Sequence, residues 1–171
     1  FRALLDTFGD AESAWKAPPE TLHKAGQVPK IIENFRQVRL QIDPDQVWDR
    51  LQRLEISAIT WEDADYPRRL KEVDQPPPVL YVRRAFSPAD EWAVAIVGTR
   101  RATPYGRQVT EELARVLAGS GVTVVSGLAR GIDAVAHQAA LHAGGRTIAI
   151  LGSGPDHIYP PEHRRLAEEI I

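Results

Sequence analysis

The alternation of hydrophobic and polar positions changes rhythm near residue 55. Before it, apolar residues recur at helical spacing. "DAESAWKA" opens on Asp10, a capping residue, and "APPETLHKAG" places Pro19 at a helix start and Gly26 at its end. In "VPKIIENFRQVRL", Ile31, Ile32, Phe35, Val38 and Leu40 form a helical stripe. In "DPDQVWDRLQRL", Asp43 caps, Pro44 takes the first helical position, and Val47, Trp48, Leu51 and Leu54 line one face. This pattern predicts a small all-helical domain over residues 1–54, with a helix–hairpin–helix around Gly26 as one candidate. Its bland reading is a packing domain with no ligand.

After residue 55 the period shortens. Ile56, Ala58 and Ile59 read as a short strand, and Val79 to Val82 as another after a Pro-rich turn. Residues 84–92 form a polar connector. Then a βα rhythm sets in. "AVAIVG", "VTVVSG" and "RTIAILG" read as three buried strands. Between them lie "YGRQVTEELARVLAGSG", with Val109, Leu113, Val116 and Leu117 facing one way, and "GIDAVAHQAALHAGG". Strands alternating with helices predict an α/β fold, a parallel sheet with crossover helices over residues 55–171. The near-continuous apolar strands predict that both sheet faces are covered.

In a parallel sheet all strand C-termini meet on one edge, where ligands bind. Three loops reach that edge: "GTRRATPYG", "SGLARGID" and "GSGPDHIYPPEHR". Each opens on glycine or Ser-Gly, which lets backbone N–H groups approach a ligand. Each helix that follows points its positive end at the same spot. Arg100, Arg101 and Arg130 add full charges beside Gly98, Thr99, Ser126, Gly127, Gly131, Gly152 and Ser153. Such an edge suits an anion, and phosphate is the expected one. Composition sharpens this reading. The chain of 171 residues carries a formal net charge of −2, yet six arginines face three carboxylates between Ala93 and Gly154. One glycine-bearing βα loop would be merely structural; three converging loops, two with arginines, favour binding.

Other chemistry is sparse. Gly98 is followed by Thr-Arg-Arg, so the dinucleotide G-x-G-x-x-G fails, and no G-x-x-x-x-G-K-[ST] is present. Neither NAD nor ATP is expected, and no cofactor is implied. His137, His142, His157 and His163 lack metal-ligand spacing. Ser126 has no evident base partner, so no catalytic residue is assigned. Asp133 would repel a phosphate and is expected to bond the loop amides or hold Arg130. Tyr159 offers a stacking face for a base, or a packed loop anchor. The chain has no cysteine, which fits a cytoplasmic protein, and no apolar run approaches a membrane span. It begins at Phe1, contains no Met and ends on "RRLAEEII" within a helical pattern, so it is expected to be an excerpt truncated at its C-terminus.

The blocks "VGTR", "SGLARGIDAxAHxxAL", "GGxTIAxLGxG" and "YPxxxxxL", in this order, resemble the DNA-processing protein A family, DprA or Smf. "ITWEDADYPRRLKEVDQPPPVLYVRR" is similar to the segment leading into that family's Rossmann-like domain. The helical start resembles its SAM-like or helix–hairpin–helix domain. The resemblance implies a non-enzymatic recombination mediator in the cytoplasm. It would bind and protect single-stranded DNA and load the RecA recombinase during natural transformation. It also implies a homodimer in the full-length form. Carried over, Arg100 and the segment Ser126 to Asp133 belong to the DNA-binding pocket. The family often has a basic residue or Asn after "YP", where this chain has Pro161-Glu162-His163. A rival reading is a nucleoside-monophosphate phosphoribohydrolase on a related Rossmann variant, although its P-G-G-x-G-T-x-x-E block is absent.

Overall fold

The computed structural model describes every residue from Phe1 to Ile171. The chain divides into two compact units, Phe1–Leu54 and Glu55–Ile171.

The first unit is helical. It comprises α1 (Arg2–Phe8), α2 (Ala11–Lys16), a 3-10 segment (Pro19–Ala25), α3 (Pro29–Gln41) and α4 (Pro44–Arg53). Asp10 caps α2 by accepting the Ser13 amide, and Asp43 caps α4 by accepting the Asp45 amide. Gly26, at φ 73°, closes the Pro19 segment, which winds as 3-10 rather than α. Leu22, Ala14, Ala17 and Ala25 form the buried centre. Trp15 meets Phe35 edge-on at 5.5 Å, and Arg39 lies over both rings while donating to the Ala17 carbonyl at 2.6 Å. Only part of each predicted stripe is used. On α3, Ile32 and Phe35 are half-buried while Ile31 and Leu40 face solvent. On α4, Val47 and Trp48 are exposed, as is Leu54 just past its C-terminal end.

The second unit opens with an antiparallel pair, β1 (Ile56–Thr60) and β2 (Val79–Arg83), with Ala58 opposite Tyr81. The connection holds α5 (Arg68–Lys71), and the Tyr66 hydroxyl donates to the Pro77 carbonyl to close it. The main sheet is parallel, in the order β3 (Ala93–Ala95), β4 (Thr123–Ser126), β5 (Thr147–Ala149). Helix α6 (Pro104–Gly119) links β3 to β4, α7 (Ile132–His142) links β4 to β5, and α8 (Arg164–Ile170) follows. Both crossovers run the same way across the sheet, so right-handedness places α6 and α7 on one face. There Ile96, Val124, Ala114, Ala118, Ile132, Ala136, Ala139 and Ala140 make the core. Leu128, Ala134, Leu166 and Ala167 extend it towards α8.

Two expectations fail here. The sheet is covered on one face only: Val97 is 71% and Ile150 61% exposed, because all packed helices lie on the other side. β3 is therefore an exposed edge strand, not a buried one, and only β4 reads as buried. On α6 the buried residues are Thr110, Ala114 and Ala118, whereas Val109, Leu113 and Val116 are exposed. The alanine-rich face of α7 approaches closely, and only small side chains fit between the two helices.

At the N-terminal edge of the sheet, the polar connector is fastened by Asp90. Its carboxylate accepts from Arg146 at 2.6 and 2.9 Å, from the Thr123 hydroxyl at 3.0 Å and from the Ser87 amide at 2.7 Å. Burial pushes this carboxyl up, but those donors outweigh it and hold the group below its ordinary value.

Candidate nucleic-acid interface

The three loops at the C-terminal ends of β3, β4 and β5 are locked together before any ligand arrives. Gly98 lies against Ile132: a Cβ there would stand 2.7 Å from that side chain. Gly131, at φ 82°, sits so close to the first loop that a Cβ would lie 2.3 Å from the Thr99 carbonyl oxygen and 2.8 Å from Arg100 backbone atoms. The Ile132 amide donates to that same Thr99 carbonyl at 3.2 Å. Thr99 Oγ1 accepts the Arg101 amide at 3.1 Å, and Thr103 caps α6 through the Gly106 amide at 3.1 Å.

The second loop is held from inside. Ser126, buried, donates its hydroxyl to the Ile96 carbonyl at 2.7 Å. Asp133, also buried, accepts the Gly127 and Ala129 amides at 3.1 and 3.3 Å through one carboxylate oxygen. Leu128 between them is fully buried at φ 59°, a strained backbone for leucine. Its carbonyl accepts from His163 Nδ1 at 2.8 Å, which ties the third loop to the second. Beneath, His137 Nδ1 donates to Thr147 Oγ1 at 2.7 Å, and that hydroxyl donates to the Val124 carbonyl. Burial pushes His137 down to about 4, against the pull of Asp133 and with the push of His163. Its Nε2 is buried and unpartnered.

Above this floor lies a cleft of about 410 Å³. Arg100 stands on one wall; Gly127, Ala129 and Arg130 form the second; Gly152, Ser153, His157 and Tyr159 form the third. Of the sequence-derived residues, Arg100, Gly127, Arg130, Gly152 and Ser153 thus meet around one space. Gly98, Thr99, Gly131, Asp133 and Ser126 form the scaffold behind it, and Arg101 does not line it. The local arginine excess is also partly dispersed: Arg146 is bound to Asp90 at the opposite edge of the sheet. Arg130 donates to Glu162 Oε1 at 2.5 Å, and this bond holds Glu162 below and Arg130 above its ordinary value. The sequence reading missed Glu162 as the partner of Arg130 and His163 as a link between loops. Their only signal was a position just past "YPP", within reach of the same edge.

The fold and cleft define a class: a Rossmann-like α/β unit, preceded by helices, with arginines at the C-terminal edge of a parallel sheet. The family model for DNA recombination-mediator protein A matches residues 57–171, and the chain belongs to that family. It is 42% identical over 174 residues to Protein Smf of Synechocystis sp., covering 99% of this chain and 44% of that protein. The X-ray structure of DNA processing protein A from Streptococcus pneumoniae superposes with a TM-score of 0.75 at 28% identity, covering 99% of this chain and 58% of that one. A DNA processing protein A structure from Helicobacter pylori, described for its single-stranded DNA binding mode, gives a TM-score of 0.56 at 35% identity, covering 68% and 51%. The chain therefore spans about half the length of these relatives. No helix is long and apolar enough to cross a membrane, and no group of three His, Asp or Glu side chains is placed to hold a metal ion.

Proposed function

We propose that this chain supplies the single-stranded DNA site of a recombination mediator. In its full-length form the protein would protect incoming DNA and load RecA during natural transformation, acting in the cytoplasm as a homodimer. The observation that carries the reading is Arg100, free of any carboxylate partner, beside a glycine-lined cleft. A guanidinium so placed can clamp a phosphate without reading a base. The cleft has no projecting basic helix suited to a major groove, so a flexible single strand is the better fit. The H. pylori relative described for its single-stranded DNA binding supports the same ligand. We assign Arg100, Arg130, Gly127, Gly152 and Ser153 to direct contact. Gly98, Thr99, Ser126, Gly131 and Asp133 hold the loops, and Arg101 reaches phosphates beside the cleft. We assign residues 1–54 to a SAM-like or helix–hairpin–helix domain and residues 55–171 to the Rossmann-like DNA-binding domain.

The hydrolase reading finds no support in these 171 residues, which lack its P-G-G-x-G-T-x-x-E block. Ser126, at the end of β4, is bonded to a backbone carbonyl. A gel-shift with oligo-dT and with duplex of equal length tests the proposal. Tighter binding of the single strand is expected; equal affinity overturns it. Release of a free base from a nucleoside monophosphate would favour the hydrolase instead.

A further inference from the structure

We propose that Glu162 is an internal competitor for the cleft, a carboxylate that occupies Arg130 and that a DNA phosphate must displace or share. The inference rests on the single-stranded DNA reading and adds to it the residue that limits affinity. Arg130 and Glu162 lie on different loops, and Arg130 donates to Glu162 through Nε. The pairing is not a chance meeting of two mobile side chains. Glu162 sits in the 3-10 turn Pro161–His163, and that turn is fastened to the loop of Arg130 by His163 Nδ1 on the Leu128 carbonyl. The carboxylate is thus delivered to the guanidinium by the same bond that joins the loops. Its depressed carboxyl keeps it ionised at neutral pH.

Both partners remain half-exposed, at 53% and 49%, so an incoming anion can reach them. Carboxylate and phosphate present the same kind of oxygen acceptor to a guanidinium fork. A phosphate that takes over Nε leaves Glu162 as a repelling charge. A phosphate that uses the other N–H groups meets an arginine already half neutralised. In both cases Glu162 weakens binding at one wall, while Arg100, with no such partner, retains its full charge. The cleft is therefore built with one strong and one restrained arginine.

The test is a titration of labelled oligo-dT with the protein and three variants, Glu162→Gln, Arg130→Ala and the double substitution, each repeated over a range of salt. Glu162→Gln is expected to tighten binding by about two- to fivefold, the range of an exposed pair. It should steepen the log K against log salt slope by up to about 0.7, one phosphate on a single strand. In the Arg130→Ala background the same substitution should give no gain. Unchanged or weaker binding by Glu162→Gln overturns the proposal. An equal gain in both backgrounds also overturns it, because Glu162 would then act as diffuse charge rather than through Arg130. If the unsubstituted protein binds no oligo-dT, the site reading itself falls and takes this inference with it; the other negative results leave that reading standing.

Discussion

Arg100 and Gly131 act as a pair: the glycine's missing side chain makes room for the backbone that carries the arginine. Arg100→Ala should weaken oligo-dT binding about ten- to a hundredfold, the scale of one charge-assisted hydrogen bond. Its salt slope should become shallower by about 0.7. Arg100→Lys should restore the slope better than the affinity, since the fork is lost while the charge stays. Binding equal to wild type by Arg100→Ala would place this residue outside the interface. Gly131→Val should abolish binding with circular dichroism near native, because the branched side chain drives the Thr99–Arg100 backbone out of register. Intact binding would show that the contact between loops is dispensable. At this scale the placement of Arg100 and Arg130 at the strand-end cleft was legible from charges beside a glycine after an apolar run, whereas the position of Arg101 outside it was not. What the glycines do was not legible. They were read as openings for ligand, yet Gly98 and Gly131 accommodate Ile132 and the first loop. That close approach involves residues some thirty positions apart, which no local pattern encodes.

Helix α6 shows where hydrophobic periodicity misleads. Its Val109, Leu113 and Val116 have the spacing of a core stripe, yet Thr110, Ala114 and Ala118 are the buried set. The stripe rule assumes that large apolar side chains seek the interior; here the alanine face of α7 leaves room only for small ones. Ala114 is fully buried, so Ala114→Leu should destabilise the fold by about 1–3 kcal/mol through overpacking. Leu113→Ser, on the exposed side, should stay within about 0.5 kcal/mol of wild type. Urea melts of the two variants decide it, and a larger loss from Leu113→Ser would reverse the assignment of faces. The β–α alternation and the helix ends at Gly26, Gly121 and Gly144 were readable, because glycine at positive φ has a strong sequence signature. The open face of the sheet was not, because a run of Val, Ile and Ala does not say whether anything covers it.

The molecule as a whole should carry a histidine-driven acid sensitivity. Folded, His137 takes up a proton only near pH 4; its ordinary value is 6.5. Between those values the unfolded chain binds the extra proton, so this stability is complete above about pH 6.5 and is lost as pH falls towards 4. The swing is about 3 kcal/mol. Glu162 and Asp90, held below their ordinary values of 4.5 and 3.8, lose their pairing only as pH falls below those values. Urea melts at pH 7.5 and pH 5, for wild type and His137→Asn, check the assignment; an equal pH dependence in both would exclude His137 as its source. The network around this ring was invisible in the sequence, since His137 and Thr147 are joined only when α7 packs on the sheet. Asp133 has a consequence of another kind. It already engages the Gly127 and Ala129 amides from a buried position. In a map of deuterium uptake, those two loop positions should exchange as slowly as a central strand, with or without DNA. The wall of the cleft would then stand out by its stillness, and any slowing caused by bound DNA would have to be sought elsewhere along the loops.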